Sequence, residues 1–364
     1  MRNKVSLPLS ALVLASAAFA ANAQALPTFR ATVVGSAPFS TSCFVSSISD
    51  TGIMAGTCSP SGTYGGGIVA WRNGVATSFG KLPKGTFAQN NAINSSGVVV
   101  GEADIGDGRP HAVVTYNGSL LQMKDGGVND RAIGITDTGV IFGDLIKGFD
   151  AQWAPVMWTV DPAKPDRYHA TLLPDYNDGG DPKSVGAYLT ASNKAGQAVG
   201  WINGSVIGQL GGFWNGDTAH AVVPLAPLPG GWHSIAWSMN DLGQAVGESN
   251  SPLSVYSRAV LWQNDAAHTP VDLGTLPGDS DSNALFVNTA GQIVGYSGNT
   301  TPGSSSRTFF YQGGTMAELS SLVDGANGTW QITGVMSLNN AGQMIAVGTY
   351  NGQLVQNILL TPIQ

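Results

Sequence analysis

The sequence predicts an all-β fold, a seven-bladed β-propeller with four-stranded blades. A glycine motif recurs seven times at intervals of 42 to 57 residues. An aromatic residue follows each of the first six copies after 18 to 20 residues. The composition combines 49 Gly and 19 Pro with 43% hydrophobic residues, which is typical of many short strands joined by tight turns. A period in the forties matches one four-stranded blade, and seven copies match a common ring size.

The first marker is the motif Asn-x-x-Gly-x-x-Val-Gly, seen as NTAGQIVG at Asn288–Gly295. Its first Gly suits the left-handed position that ends a type I turn with a one-residue bulge. The Asn, Ser or Thr three residues earlier can return a side-chain oxygen to a backbone N–H. We therefore predict a hairpin between strands A and B of each unit and not a phosphate-binding loop, since no Gly-x-x-x-x-Gly-Lys-Ser/Thr occurs. The predicted turn glycines are Gly52, Gly97, Gly139, Gly196, Gly243, Gly291 and Gly342.

Two further markers place strands C and D. Strand C ends at an aromatic residue in six units, at Trp71, Tyr116, Trp158, Trp214, Trp262 and Tyr311. A Leu-Pro pair follows strand D in four units, at Leu82-Pro83, Leu173-Pro174, Leu228-Pro229 and Leu276-Pro277. The last unit has no fourth strand, whereas the N-terminal segment FRATVVGS supplies a spare one. We predict that this strand completes the last blade, with Thr32–Gly35 beside Leu354–Leu360, and so closes the ring.

The N-terminus has the pattern of a secretory signal peptide. Arg2 and Lys4 precede the apolar stretch Val5–Phe19, and Ala-x-Ala patterns end at Ala20, Ala23 and Ala25. The alternative, a membrane anchor, needs about 20 apolar residues, and this run is shorter. We predict a signal peptide at 1–25 and a single propeller domain at 26–364. The mature chain is expected to be soluble, monomeric and secreted, in the periplasm or outside the cell.

Charge and cysteine content restrict the partners and the compartment. The formal net charge is -7, and removing Arg2 and Lys4 makes it -9. With no Lys/Arg cluster, nucleic acid and anionic membranes are excluded as partners. Cys43 and Cys58, the only cysteines, flank the first A–B hairpin, and export permits a disulfide. Direct pairing would place them opposite each other, whereas a one-residue slip at the turn would face them apart. We favour the disulfide.

The combined motifs resemble the HAF repeat of predicted extracellular bacterial proteins. The similarity covers essentially the whole mature chain and is clearest in PVDLGTLPGDSDSNALFVNTAGQIVG, Pro270–Gly295. The segment RPHAVV, Arg109–Val114, carries the His-Ala element with His111, and Arg258 and Arg307 replace this His in two other units. The resemblance implies an exported, propeller-like protein and does not imply an enzyme.

Candidate ligand-binding residues fall mainly in the predicted loops between strands B and C and at the start of strand C. They are Asp104, Asp107, Arg109, His111, Trp153, Tyr256, Arg258 and Arg307. The aromatic residues outside the repeat pattern, which also include Trp201, Trp232, Trp237 and Trp330, are better ligand candidates than the periodic ones, which packing between blades explains. Two acidic loops alternate oxygen-bearing side chains that suit calcium, with Asp175, Asn177 and Asp181 in one and Asp279 and Asp281 in the other. Calcium is the only cofactor that the sequence suggests.

Two functions remain open at this point. The favoured one is a noncatalytic exported propeller that binds an extracellular protein or carbohydrate through the B–C and D–A loops. The alternative is a secreted propeller enzyme, a hydrolase or lyase acting on glycans, which would need carboxylates converging near the ring axis. No His-Glu-x-x-His or Gly-x-Ser-x-Gly motif occurs, so no catalytic residue is assigned.

Overall fold

The chain forms seven four-stranded antiparallel sheets, which confirms the predicted seven-bladed propeller. The structure, a computed structural model, describes residues 25–59, 66–124, 127–146, 152–176, 186–204, 208–251, 254–299, 305–326 and 328–363, with the backbone alone at 251 and 254–256. Within these ranges the only helical element is a 3-10 turn at Leu319–Leu322. No helix of the described part is long and apolar enough to cross a membrane.

Each blade consists of strands A to D, paired in that order, and contacts between neighbouring A strands place them around the axis. Strand β1 (Thr28–Val33) precedes the first blade. Blades 1 to 3 contain β2 (Ser42–Ile48), β3 (Met54–Ser59), β4 (Gly67–Arg72), β5 (Val75–Gly80); β6 (Ala88–Ile93), β7 (Val99–Ala103), β8 (His111–Tyr116), β9 (Ser119–Gln122); and β10 (Asn129–Ile135), β11 (Ile141–Ile146), β12 (Ala154–Asp161), β13 (Lys164–Leu172).

Blades 4 to 7 repeat the arrangement, and the last blade takes its fourth strand from the N-terminus. They contain β14 (Gly186–Ser192), β15 (Ala198–Gly204), β16 (Gly208–Trp214), β17 (Val222–Leu225); β18 (Ser234–Met239), β19 (Ala245–Ser251), β20 (Ser254–Trp262), β21 (Pro270–Gly274); β22 (Asp281–Val287), β23 (Ile293–Gly298), β24 (Arg307–Gln312), β25 (Thr315–Glu318); and β26 (Trp330–Leu338), β27 (Met344–Tyr350), β28 (Gln353–Ile363) with β1.

The N-terminal strand closes the ring as predicted. Strand β1 pairs antiparallel with β28, with Thr32 opposite Leu359 and Val33 opposite Ile358. The side chain of Asn357 then ties this last blade to blade 1, because its Oδ1 accepts the N–H of Val45 at 2.9 Å and its Nδ2 donates to the carbonyl of Cys43 at 2.8 Å. Pairing β1 with β28 therefore covers a sheet edge that would otherwise be open to other chains.

Four of the six aromatic residues that end strand C, the tryptophans, are buried, whereas Tyr116 and Tyr311 are half-buried. Trp158, Trp214 and Trp262 are fully buried. The indole N–H groups of the last two donate to the carbonyls of Pro174 and Ala226 in the preceding blade, at 2.9 and 2.7 Å. Because a buried indole needs a partner for its N–H, these bonds fix each ring between two blades.

Cys43 and Cys58 form the predicted disulfide. The tight turn after β2 shifts the pairing by one residue, so that Ser47 lies opposite Ala55. A bulge between Val45 and Ser47 shifts it back, and Cys43 then lies opposite Cys58 with 4.1 Å between the Cα atoms. The two one-residue displacements cancel, which restores the register that the disulfide requires.

Candidate functional site

The alternating strand directions divide the propeller into two faces. We call the end that carries the A–B and C–D turns the turn face, and the end that carries the B–C and D–A loops the loop face. The seven glycines of the A–B turns have φ between 70° and 89°. The Asn, Ser or Thr three residues before each of them accepts the N–H of the residue four positions on, at 2.8 to 3.1 Å. The motif is thus a hairpin turn on the turn face.

The same Asn side chains also join neighbouring blades around the axis. In five of them the Nδ2 group donates to a backbone carbonyl of the next blade's turn, at 2.9 to 3.2 Å: Asn94, Asn193, Asn240, Asn288 and Asn339. Ser49 and Thr136 have no amide to donate, and in blade 1 the hydroxyl of Thr51 bonds the carbonyl of Ser95 at 2.8 Å instead. One residue type therefore shapes the turn and fastens the ring.

A lysine side chain lies in the axial cavity at the turn face. Lys194 Nζ lies 2.7 Å from Asp50, 3.1 Å from Asp137 and 3.8 Å from Asp241, in a cavity of about 190 Å³. Burial opposes ionisation of Asp50, but hydrogen bonds from Lys194 and Asn340 outweigh it and lower the pKa of this carboxyl. The single ammonium group offsets one of the three carboxylate charges, and the axial cavity already holds its own ion-pair network.

On the loop-face half of the axis, the bulge in each A strand has a defined partner in strand B. A bulge lies opposite the second Gly of each repeat, at Gly56, Gly101, Gly143, Gly200, Gly247, Gly295 and Gly348, and β26 has a further bulge, between Val335 and Ser337, opposite Ala346. A methyl group added at any of these glycines would overlap a carbonyl oxygen of the A strand. At these seven positions the glycine leaves room for the A-strand carbonyl beside the bulge, and a bulge changes the direction of neighbouring side chains.

The residues beside each bulge form what we call the loop-face ring. Each blade contributes the A-strand residue before the bulge and its B-strand partner, which directly follows the second Gly. The pairs are Phe44–Thr57, Gln89–Glu102, Arg131–Asp144, Tyr188–Trp201, Ile235–Glu248, Asn283–Tyr296 and Gln331–Thr349. Contacts pass from blade to blade: Asn283 Nδ2 donates to Glu248 at 3.0 Å, and Asp144 accepts the N–H of Leu189 at 2.8 Å.

In the part of the loop-face ring formed by blades 3 and 4, three aromatic side chains lie close to one cation, Arg131. Arg131 donates through Nε and Nη2 to Asp144 Oδ2 at 3.2 and 3.0 Å. Its guanidinium lies 5.1 Å from the ring centroid of Trp153 and 5.9 Å from that of Tyr188. Tyr188 in turn stacks on Trp201, with centroids 4.2 Å apart and an interplanar angle of 14°. We call these five residues the Arg131 cluster. All but Asp144 are partly exposed, so the cluster offers aromatic and charged surface to a ligand.

The carboxyl groups of the loop-face ring have raised pKa values. Burial raises the pKa of Asp144 to about 6, although attraction by Arg131 opposes the rise, and the group is therefore still a carboxylate at neutral pH. Burial also raises the pKa of Glu102 and of Glu248. Glu102 accepts a hydrogen bond from Gln89 Nε2 at 3.0 Å. The ring thus combines carboxylates, amides and aromatic faces, the groups that recognise hydroxyl-rich ligands.

Of the residues predicted to bind a ligand, Trp153 lies in the Arg131 cluster. Trp201, one of the aromatic residues outside the repeat pattern, also belongs to this cluster. Asp104 is fully buried and accepts the backbone N–H groups of Thr86 and Phe87, which makes it an organiser of a D–A loop. The side chain of Tyr256 lies outside the described residues.

The predicted His and Arg candidates each have an acidic partner. His111 Nε2 lies 3.0 Å from Asp107, its Nδ1 lies 3.7 Å from the buried Asp130, and burial raises the pKa of Asp130 to about 6. The backbone N–H of Arg109 donates to Asp107 at 3.1 Å. Arg258 pairs with Asp272 at 3.3 Å, and Arg307 pairs with Asp279 at 2.8 Å and Glu318 at 3.3 Å. These contacts hold neighbouring strands and loops together.

The two predicted calcium loops differ in what can be described. Asn177 and Asp181 lie outside the described residues, and Asp175 is exposed after β13. Asp279 Oδ2 accepts hydrogen bonds from Arg307 and from the hydroxyl of Ser297, and Asp281 accepts one from Ser280. Across the described ranges, no three His, Cys, Asp or Glu side chains are grouped as metal ligands. Calcium remains a sequence-based hypothesis.

Sequence reasoning missed several members of the loop-face ring, namely Arg131, Tyr188 and the acids Glu102, Asp144 and Glu248. A signal for the B-strand members was present, because each of them directly follows the second Gly of a repeat, where the residue changes from unit to unit as Thr, Glu, Asp, Trp, Glu, Tyr and Thr. Variation at one fixed place in a regular repeat marks positions that the fold leaves open to function.

Comparisons with known proteins add support for the fold. No protein-family model matches the chain, and no curated protein matches it. The chain is similar to the β-propeller domain of the trilobed protease from Pyrococcus furiosus, described as having an open velcro topology, with 10% identity over 86% of this chain and 93% of that chain and a TM-score of 0.53. It also aligns with the polysaccharide lyase Uly1 at 10% identity over 90% and 91% of the two chains, with a TM-score of 0.47. The first similarity shows the propeller fold alone.

Proposed function

We propose that this chain is an exported, noncatalytic propeller that binds carbohydrate on its loop face, with the Arg131 cluster as the centre of the site. The observation that carries the proposal is the run of stacked groups from Trp153 through Arg131 and Tyr188 to Trp201. Partly exposed aromatic rings offer flat apolar surface to the C–H faces of sugars. The amides and carboxylates beside them offer hydrogen bonds to hydroxyl groups.

The contrast between the two faces supports the choice of the loop face. At the turn face, Lys194 is already engaged by Asp50, Asp137 and Asp241 within the axial cavity. On the loop face, Gln89, Phe44 and Gln331 are exposed, and most other ring members are half-buried. The exposed polar and aromatic groups of the ring are therefore on the loop face, at the end of the axis opposite the A–B turns.

Export is part of the proposal and rests on two observations. The predicted cleavage after Ala23 or Ala25 would leave β1, which begins at Thr28, intact for closing the ring. The disulfide between Cys43 and Cys58 fits an oxidising compartment. We also propose that the chain belongs with the HAF-repeat proteins that its motifs resemble.

Titration calorimetry against a panel of oligosaccharides tests the proposed site. The variant Tyr188→Gln/Trp201→Thr places at both positions the residues that Gln89 and Thr57 supply in other blades, so we expect it to fold. We expect it to bind at least about tenfold more weakly than the native chain, because truncating a central aromatic contact costs ~1–2 kcal/mol or more. Trp330→Thr, on blade 7, is the matched control and is expected to bind normally. Equal affinity of the native and double-variant proteins would rule the site out.

A glycan-cleaving enzyme is the second candidate function, and the raised pKa values of Glu102 and Glu248 favour it. Burial raises the pKa of both carboxyls, and a carboxyl with a raised pKa is better suited to act as a general acid. Incubating the native chain with the same oligosaccharides and analysing the products separates the two functions. Release of shorter fragments by the native protein, lost in Glu102→Gln or Glu248→Gln, would replace binding by catalysis. The binding proposal predicts intact oligosaccharides.

A further inference from the structure

Trp232 stands out on the loop face because three quarters of its surface is exposed, at 75%. It lies in the D–A loop between blades 4 and 5, two residues before β18 begins at Ser234. The loop that carries it is held firmly. Asn250 Oδ1 accepts the backbone N–H groups of both Trp232 and His233 at 2.9 Å, and Gly231 N–H donates to the carbonyl of Leu228 at 2.7 Å. A bulky apolar ring is thus presented to water on a fixed backbone.

Two other loops of the same design show that the fold does not require this ring. After Leu82-Pro83, Asp104 plays the part of Asn250 and accepts the N–H of Thr86 and Phe87, so Thr86 corresponds to Trp232. After Leu276-Pro277, the turn closes through the N–H of Asp279 to Leu276 at 3.0 Å, and Ser280 takes the corresponding place. The loop forms equally with Thr or Ser. The tryptophan is therefore explained by contact with something outside the chain.

Trp232 lies in the loop that joins blade 4, which carries Tyr188 and Trp201 of the Arg131 cluster, to blade 5. It precedes Ile235, the loop-face ring member of blade 5, by three residues, which corresponds to roughly 10 Å of extended chain. Blade 5 packs directly on blade 4, where the hydroxyl of Thr190 bonds the carbonyl of Ala236 at 2.8 Å. Trp201 of blade 4 and Trp232 therefore flank the same junction between two blades. A single sugar covers one aromatic ring, whereas a chain of sugars can reach from one to the other.

The charge of the loop-face ring restricts the kind of sugar. Its charged members are one cation, Arg131, and three acids, Glu102, Asp144 and Glu248, and Asp144 already pairs with Arg131. The whole chain is also acidic, with a formal net charge of -7. A uronic acid polymer would bring further carboxylates to this surface and be repelled by it. An uncharged glycan meets no such repulsion.

We propose that the ligand is an uncharged oligosaccharide that contacts the Arg131 cluster and extends to a second subsite at Trp232. This inference rests on the proposed carbohydrate-binding function and specifies its ligand class. An oligosaccharide that contacts the Arg131 cluster alone would be short. Each sugar unit added to it would bring the oligosaccharide closer to contact with the indole ring of Trp232.

Calorimetry with sugars of increasing length tests the inference. The probes are oligomers of glucose, mannose and N-acetylglucosamine with two to six β-1,4-linked units, together with glucuronate and mannuronate oligomers of the same lengths. We expect affinity for an uncharged series to rise with length, and Trp232→Thr to lower the affinity for the longest member at least about tenfold while leaving that for the dimer unchanged. Trp201→Thr is expected to weaken both. Trp330→Thr serves again as the control.

The outcomes separate this inference from the function it rests on. If the oligomers bind but Trp232→Thr binds the longest one as tightly as the native chain does, the second subsite is wrong and the Arg131 cluster stands. If the uronate oligomers bind as tightly as the uncharged ones, the ligand class is wrong. If no member of the panel binds the native chain, the carbohydrate-binding function itself is wrong.

Discussion

Gly247→Ala is expected to lower the free energy of unfolding by about 3 kcal/mol, although it adds a single methyl group. Gly247 lies in strand B of blade 5, opposite the bulge between Ala236 and Ser238. A Cβ atom at this position would overlap the carbonyl oxygen of Ile235, which belongs to the backbone and cannot rotate away. Relief would require moving the A strand from the axis, where it packs against the neighbouring blades.

Gly291→Ala is the matched control for that prediction. Gly291 is the first Gly of its repeat and has a φ of 70°, but nothing lies within 4 Å of an added Cβ. Its substitution is expected to lower the free energy of unfolding by about 1 kcal/mol, because Ala adopts the left-handed conformation less readily than Gly. Equilibrium unfolding in guanidinium chloride compares the two variants with the native chain. Equal losses for both would contradict the role assigned to the second Gly.

Replacing both cysteines, as Cys43→Ser/Cys58→Ser, is expected to remove about 3 kcal/mol from the free energy of unfolding. The crosslink spans 15 residues of sequence, and closing a loop of that length restricts the unfolded chain by about this amount. A reductant supplies the control, because it should lower the native protein to the level of the variant and leave the variant unchanged. If the native protein is equally stable with and without the reductant, the bond does not contribute as described.

The fold was predictable because several independent repeat signals agree. The turn glycine recurs seven times, and the strand-C aromatic in six units and the Leu-Pro pair in four keep the same phase, so all three define the same repeat. The closing strand was predictable for the same reason, since the last unit lacked the strand that the first segment supplied. The strand register that places Cys43 opposite Cys58 was harder to predict. It depends on a bulge between Val45 and Ser47, and no role was predicted for the second Gly, which lies opposite this bulge.

The site was less predictable, because its members are the residues that do not repeat. Trp153 and Trp201 were among the aromatic residues favoured for lying outside the pattern. Arg131 and Tyr188 sit in A strands, where they look like ordinary alternating strand residues until the ring brings blades 3 and 4 together. Acidic candidates such as Asp104 and Asp279 were chosen for their loop positions, and the structure places both in contacts that organise those loops.

The motif Asn288–Gly295 contributes both to the fold and to the position of the candidate site. Its first half makes a turn and, through the Asn amide, fastens one blade to the next at the turn face. Its second half ends in Gly295, which permits a bulge beside Asn283 and Tyr296 on the loop-face ring. A motif with no ligand chemistry of its own therefore sets where the variable, ligand-facing residues lie.

The central claim is that the loop face binds carbohydrate at the Arg131 cluster, and the indole N–H resonances of eight of the nine tryptophans, all but Trp237, test it most directly. In ¹H–¹⁵N spectra assigned by single Trp→Phe variants, saturation with the tightest oligosaccharide of the panel is predicted to shift the signals of Trp153, Trp201 and Trp232. The signals of the buried and distant indoles should stay in place, namely those of Trp71, Trp158, Trp214, Trp262 and Trp330. Shifts confined to this second group, or no shift at Trp153 and Trp201 at saturation, would contradict the claim.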